Sequence, residues 1–309
     1  MNKAFVLGAG LGERLRPLTD QLPKPLVPVL HRPLICHAFE HLARDLGVTE
    51  FVVNTFHLAD EYERAFPNGR FGETSVTFRK DAPVRLETAG GLANVRDLLD
   101  GNGTFAVYNG DILTNLPLMP LLKAHREAGN MVTLALRSRG PALHIALDEK
   151  TGRVTDIRNK LGTGNEGAFL FTGIYIVEPE FFELLEPGKP ESVIPHFLEL
   201  IKRGELGGAV IDDGDWWDLG SRGAYLEATA ALCSNGHGHV AVHPQAKLAA
   251  DVVLNGFNVV GPEAEVAPGA RLTNCILWPG AKVAPGAVLE RCIVRSGQMA
   301  EGVLADCDV

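Results

Sequence analysis

Beyond residue 240 the chain repeats itself with a period of six. Apolar residues stand at Val260, Val266 and Leu272 and then, after a one-residue slip, at Leu277, Val283 and Leu289. Turn pairs fall between them at Gly261-Pro262, Pro268-Gly269, Pro279-Gly280 and Pro285-Gly286. A longer echo overlies the short one, with LTNCIL at Leu272–Leu277 and LERCIV at Leu289–Val294. Each six-residue side of a parallel β-helix supplies one inward apolar residue and one turn, so this pattern predicts stacked coils. A Gly/Pro-rich irregular tail has no reason to keep such phase. Of the chain's 34 Gly and 19 Pro, eleven lie between Asp251 and Val309, where a coil must turn its corners.

Up to residue 233 the pattern is different. Short β-branched runs at Ala4–Leu7, Phe51–Thr55, Val76–Arg79, Phe105–Tyr108, Met131–Leu136, Phe169–Val177 and Ala209–Ile211 alternate with amphipathic stretches. The latter run over Leu34–Leu46, Leu58–Phe66, Gly91–Leu99, Leu118–Ala128, Val193–Lys202 and Arg222–Leu232. That alternation predicts an α/β layer sandwich, a mostly parallel sheet with helices on both faces. Leu143–Leu147 and Arg153–Ile157 flank a turn at Asp148–Gly152 and read as an inserted hairpin. Two domains are expected, 1–233 and 240–309, joined by a linker at Ser234–His239.

Composition narrows the function. The 309 residues carry 29 Lys+Arg against 38 Asp+Glu, a net charge of −9, which argues against a nucleic-acid partner that would need a basic face. Five cysteines (Cys36, Cys233, Cys275, Cys292, Cys307) form no C-x-x-C pair and no disulfide framework, so a reducing compartment is expected. No window approaches the ~18 uninterrupted apolar residues of a membrane helix, and the first apolar run is too short for a signal peptide. These points place the chain in the cytoplasm, away from membranes.

The chemistry is concentrated after the first strand, in Leu7-Gly8-Ala9-Gly10-Leu11-Gly12-Glu13-Arg14-Leu15-Arg16-Pro17-Leu18-Thr19 and Pro23-Lys24-Pro25-Leu26-Val27-Pro28-Val29. Alternate glycines let a backbone approach a bound group and aim N–H donors at phosphate oxygens. The spacing is G-x-G-x-G, not the dinucleotide G-x-G-x-x-G, and the second strand ends near Asn54 with no acid for a ribose. Prolines on both sides of Lys24 stiffen its segment.

GAGLGERLRPLT followed by PKPLVPV is similar to the signature of sugar-1-phosphate nucleotidyltransferases, the nucleotide-sugar pyrophosphorylases. Later landmarks match in order: Glu87-Thr88-Ala89-Gly90-Gly91, Asn109-Gly110-Asp111 and Trp217-Asp218-Leu219-Gly220. The resemblance runs through residue 233 and implies a Rossmann-like three-layer sandwich, with a left-handed parallel β-helix appended as in some relatives. It further implies that Leu7, Gly8, Ala9, Gly10 and Gly12 wrap the nucleotide, with Arg14 on the β- and γ-phosphates and Lys24 against the reacting phosphates. Glu87, Thr88, Gly90 and Gly91 would lie beside the base, with Asn109 also on the nucleotide. Asp111 and Asp218 would hold Mg²⁺, and Lys160 and Gly173 would face the sugar phosphate. The base loop resembles the N-acetylmuramate-1-phosphate uridylyltransferases and the β-helix the mannose-1-phosphate guanylyltransferases, leaving UTP and GTP open with a lean to UTP. Where the family often carries Glu-Lys-Pro, this chain has Asn159-Lys160-Leu161, so the resemblance names no sugar.

The implied reaction suits these residues. A sugar-1-phosphate oxygen attacks the α-phosphorus of an NTP and pyrophosphate departs, so two anions must be brought together; a cation on paired carboxylates reduces their repulsion. Arg14 and Lys24 would stabilise the leaving group, and the ionised phosphate needs no general base. Two other classes compete. A catalytically silent regulatory subunit has no need for Arg14, Lys24, Asp111 and Asp218 together. An acyltransferase would want a histidine base in the hexads, and none follows His243. The coil is expected to serve packing or assembly of a homo-oligomer.

Several features have simpler readings. Asp111 and Asp218 could each cap a following helix. His37 and His41 fit a solvated helix face, because this is not H-E-x-x-H. His237, His239 and His243 fit a linker, and Cys275 and Cys292 fit buried coil positions. Trp216 and Trp217 could stack on a base or plug the core.

Overall fold

The computed structural model describes residues 1–101, 103–236 and 239–309. The chain divides into two compact units: residues 1–11 with 35–216, here the sheet unit, and residues 12–34 with 217–309, the coil unit. Segments 12–34 and 217–233 thus group with the repeats and not with the sheet.

Among the described residues the sheet unit is built on ten strands: β1 (Lys3–Leu7), β2 (Glu50–Thr55), β3 (Arg70–Phe71), β4 (Thr74–Lys80), β5 (Phe105–Asn109), β6 (Val132–Arg137), β7 (Ile145–Asp148), β8 (Arg153–Ile157), β9 (Leu170–Val177) and β10 (Leu206–Val210). Their spatial order is β7-β8-β10-β6-β9-β5-β1-β2-β4-β3. Helices α1 (Leu34–Leu46), α2 (Asp60–Ala65), α3 (Glu87–Asn94), α4 (Arg96–Leu99), α5 (Met119–Ala128) and α6 (Ile194–Arg203) alternate with them. In β1 and β5, Ala4, Phe5, Val6, Ala106, Val107 and Tyr108 are all fully buried, as parallel strands covered on both faces require.

β1 pairs in parallel with β2 on one side and β5 on the other, and the registers align Leu7, Asn54 and Asn109 at the carboxyl ends. Sheet order reverses at this point, and open α/β sheets bind ligands in the crevice outside such a switch. Among the described residues three strands run against the parallel set: β3 is antiparallel to β4, β8 to β7 and β10, and β9 to β5 and β6.

In the coil unit the expected repeats are present as a parallel β-helix. Leu248, Val266, Val283 and Ala300 are in register, as are Val242, Val260, Leu277 and Val294, and Leu254, Leu272, Leu289 and Leu304. The three columns are the three sides of a coil, and successive coils are 17 or 18 residues apart along the first two. All six residues of the sequence pattern, Val260 to Leu289, are at most 2% exposed. The slip between Leu272 and Leu277 falls at Asn274, whose φ is 55°, and the same left-handed corner recurs at Arg291 with φ 50°.

Helix α7 (Arg222–Gly236) packs on strands Val253–Val260 and Arg271–Leu277. It runs into the stretch expected to be linker, because its inner face has coil surface to cover. His237 and Gly238 lie outside the described residues. His243 sets its ring edge-on to His31 at 5.2 Å and accepts from the Gln245 N–H. The five cysteines are free thiols, with Cys275 and Cys292 fully buried. His41 is a correction: it is 2% exposed, with Nδ1 3.1 Å from the Tyr108 hydroxyl and Nε2 2.7 Å from the Leu116 carbonyl. Burial lowers its pKa, and the ring belongs to the core rather than to solvent.

Candidate active site

At the end of β1 the backbone of Gly8 is fixed at both groups. Its N–H donates to Asn54 Oδ1 at 3.0 Å and its carbonyl accepts from the Tyr62 hydroxyl at 2.8 Å. A Cβ here would lie 2.6 Å from the Asn54 carbonyl, so glycine is required by packing. Gly10 is the opposite case: it is exposed, and a Cβ would meet nothing within 4 Å. Of these two, Gly10 is the one whose missing side chain leaves room for a ligand.

Asn54 is wholly buried and joins two loops. Its Nδ2 donates to Asp81 Oδ2 at 3.1 Å, and Asp81 also accepts from the Leu86 N–H at 3.3 Å and Asn94 Nδ2 at 3.3 Å. Desolvation raises the Asp81 pKa, opposed by these three donors. The pair therefore ties the Gly8 loop to the start of α3, which carries Glu87–Gly91. A Cβ on Gly91 would strike Asn54 Nδ2 at 2.6 Å, and one on Gly90 would strike the Lys189 carbonyl at 2.1 Å. The N–H groups of Ala89 and Gly90 both donate to the Glu191 carbonyl, and Thr88 Oγ1 accepts from the Val193 N–H at 2.7 Å. Glu87 itself is exposed, with φ 59°. Gly90 and Gly91 are thus required by packing, as Gly8 is.

Asn109 ends β5, and the Gly110 N–H donates to the Leu7 carbonyl at 3.0 Å, turning the chain so that Asp111 projects half-exposed beyond the strand. Gly173, φ 85°, sits where the β9 register slips, and its missing Cβ makes room for the Asn109 side chain. Lys160 is exposed on the turn after β8. That turn is held by the buried Asp156, which accepts from the N–H groups of Ile157, Leu161 and Thr163 and from Thr163 Oγ1 at 2.8 Å.

The coil unit gathers the other expected residues. Lys24 Nζ is 3.1 Å from Asp218 Oδ1, and Arg14 Nη2 is 3.6 Å from Asp218 Oδ2. Lys24 is only 5% exposed, whereas the Arg14 side chain is 75% exposed. A short turn, Glu13–Leu15, starts from Gly12 at φ 65°, and the Gly12 carbonyl accepts from Thr19 Oγ1 at 2.9 Å. Gly220 has no room for a Cβ because Arg14 Nη2 would be 2.6 Å away. So three residues drawn from two distant segments of the sequence are brought together as one charged trio. Neither aspartate is a helix cap: Leu118 precedes α5, Asp218 closes a strand at Trp216–Asp218, and Ser221 Oγ accepts from the Ala224 N–H at the start of α7. Trp216 is half-buried and donates from Nε1 to the Thr172 carbonyl at 2.9 Å.

Sequence reasoning missed Tyr62, Asp81 and Asp156, whose partners become visible only in the folded register. The Asn54 position held one hint, since its alignment with Leu7 follows once β1 and β2 are paired.

The nucleotidyl transferase family profile matches residues 3–235. The chain belongs to that family. The likeness to sugar-1-phosphate nucleotidyltransferases drawn from the motifs therefore holds, and the chain is a nucleotidyltransferase enzyme. It is 30% identical to mannose-1-phosphate guanylyltransferase 1 of Arabidopsis thaliana, over 88% of this chain and 80% of that protein. It is 32% identical to N-acetylmuramate alpha-1-phosphate uridylyltransferase of Neisseria meningitidis, over 74% of this chain and 97% of that protein. Among solved structures, UDP-glucose pyrophosphorylase from Acinetobacter baumannii superposes with a TM-score of 0.66 at 16% identity, covering 77% of this chain and 95% of that one, which supports the fold. Among the described residues no helix is long and apolar enough to cross a membrane.

Proposed function

We propose that this nucleotidyltransferase moves a nucleoside monophosphate from an NTP to a sugar-1-phosphate, giving an NDP-sugar and pyrophosphate, with Mg²⁺ as the metal. The observation that carries the reading is the trio of Arg14, Lys24 and Asp218 in a chain that also sets Leu7, Asn54 and Asn109 side by side at the carboxyl ends of adjacent strands. The sugar-phosphate oxygen attacks the α-phosphorus, the bond from the α-phosphorus to the oxygen bridging to the β-phosphate breaks, and Lys24 and Arg14 would stabilise the negative charge that develops on the departing pyrophosphate. Lys24 is pre-set by its pairing with Asp218, so little reorganisation is needed when phosphate arrives.

Magnesium, when bound, neutralises the facing phosphates. Asp111 and Asp218 would be its protein ligands. Among the described residues no group of three or more metal-ligating side chains assembles, and two carboxylates fit a hard cation that keeps waters and takes its remaining oxygens from substrate phosphates. Asn109 and the Leu7–Gly12 loop would take the nucleotide, with Gly10 as the point of backbone approach, and Glu87–Gly91 would border the base. Lys160 and Gly173 would lie toward the sugar phosphate. The base-loop sequence favours UTP over GTP.

A pyrophosphate-release screen of the four NTPs against a panel of sugar-1-phosphates tests this. Release with UTP above GTP is expected. Faster turnover with GTP would reverse the base assignment, and no release with any pair would point to the silent regulatory subunit.

A further inference from the structure

We propose that the last turns of the β-helix position the Arg14, Lys24 and Asp218 trio, with Arg222 and Arg295 as positioning residues; this rests on the functional reading above. Both chain segments that carry the trio are fastened to the same end of the coil. On the first segment, Arg295 Nη1 donates to the Pro17 carbonyl at 3.3 Å while its Nε donates to the Val309 carbonyl at 3.1 Å. Beside it, Gln21 Nε2 donates to the Ser296 carbonyl at 3.3 Å. Pro17 is three residues after Arg14, and Gln21 three before Lys24, so each cation sits within one turn of a fastening.

The second segment is held in the same way. Arg222, four residues after Asp218, donates from Nε to Asp308 Oδ1 at 2.7 Å and from Nη2 to the Cys307 carbonyl at 3.3 Å and the Arg291 carbonyl. Asp306 adds a second carboxylate at 3.6 Å. A third tie joins the two segments to the coil at once: the fully buried Tyr225 donates to the Pro28 carbonyl and accepts from Trp278 Nε1 at 3.1 Å. A guanidinium with several directed bonds fixes orientation as well as distance. Transfer between phosphates depends on such placement, and a shift of about 1 Å in a positioned group can cost ~100-fold in rate.

Lys24 reports on the fastening without any need for turnover, because it is 5% exposed and bonded to Asp218. The full-length chain and the variants Arg295→Ala, Arg295→Lys and Arg222→Lys are labelled with an amine-acylating reagent and each lysine is quantified by mass spectrometry. Lys3, whose side chain is 17% exposed and whose Nζ donates to the Leu98 carbonyl, serves as the internal reference. Should Arg295→Ala not fold, Gln21→Ala removes only the Ser296 bond and replaces it. In Arg295→Ala, labelling of Lys24 is expected to rise several-fold with Lys3 unchanged, and kcat to fall ~10-fold at nearly constant KM, with partial recovery in Arg295→Lys. Unchanged Lys24 labelling and kcat in folded variants overturns the proposal, as does a parallel rise at Lys3, which means general loosening. If the wild type releases no pyrophosphate with any substrate pair, the functional reading fails, and the Lys24 labelling still decides whether the coil holds the trio.

Discussion

Three glycines of the β1 loop are alike in sequence and have different physical causes. Gly8 is glycine because Asn54 and Tyr62 close around it, Gly12 because its φ is 65°, and Gly10 because space beside it is open. Gly8→Ala is therefore expected to cost roughly 1–3 kcal/mol of stability through overpacking. Gly10→Ala should leave stability within about 0.5 kcal/mol and raise the KM for NTP. Denaturant unfolding with steady-state kinetics separates the two; equal stability losses would show that Gly10 too is a packing glycine. The loops' buried supports, Asn54 with Asp81 and Asp156 under the Lys160 turn, could not be read from the sequence, because their meaning lies in hydrogen bonds between distant segments or within an irregular turn. Asp156 also predicts a pH effect. Burial alone pushes its carboxyl up, but donors from Leu161, Thr163 and Ile157 outweigh this and hold it below the ordinary range. Its stabilisation is thus present above the unfolded pKa near ~3.9 and lost as pH falls through the lower folded value. Asp156→Asn should lower Tm at pH 7 and converge with wild type as the pH is taken below ~3 in thermal melts; the same deficit at both pH values would contradict that assignment.

At the scale of elements, periodicity carried most of the fold. Helix α1 was legible to the residue, since Leu34, Ile35, Ala38, Phe39, Leu42 and Leu46 form one buried stripe. Strands β1, β2 and β5 were legible from continuous apolar runs. The direction of β9 was not, because strand sense depends on how the chain returns and not on what the strand contains. Hexad phase was the strongest element-level signal, since an inward residue in a coil has no other face to occupy. Leu272→Ala, at a fully buried rung, is expected to cost about 2–5 kcal/mol. Chemical denaturation monitored through Trp278, buried in the same unit, would check it; a loss below that of an exposed substitution such as Val303→Ala would mean the rung is not part of a packed column.

For the whole molecule, a cut between 233 and 240 is natural in sequence because composition changes there. Contacts group the chain otherwise: residues 12–34 and 217–233, which carry Arg14, Lys24 and Asp218, belong with the coil. Composition cannot reveal this, since α7 and the Arg14–Lys24 segment gain their partners only when the coils are stacked. The net charge of −9 is compatible with phosphate chemistry because cations can be gathered locally, as Arg14 and Lys24 are around Asp218. We propose that this family member transfers nucleotide through carboxylates and cations drawn from separate segments of one chain. Pyrophosphate release in Mg²⁺ by wild type, Asp111→Asn and Asp218→Asn tests it most directly. Each variant is expected to lose ~100-fold or more in kcat while remaining folded; near-wild-type turnover in either variant would contradict the two-carboxylate site.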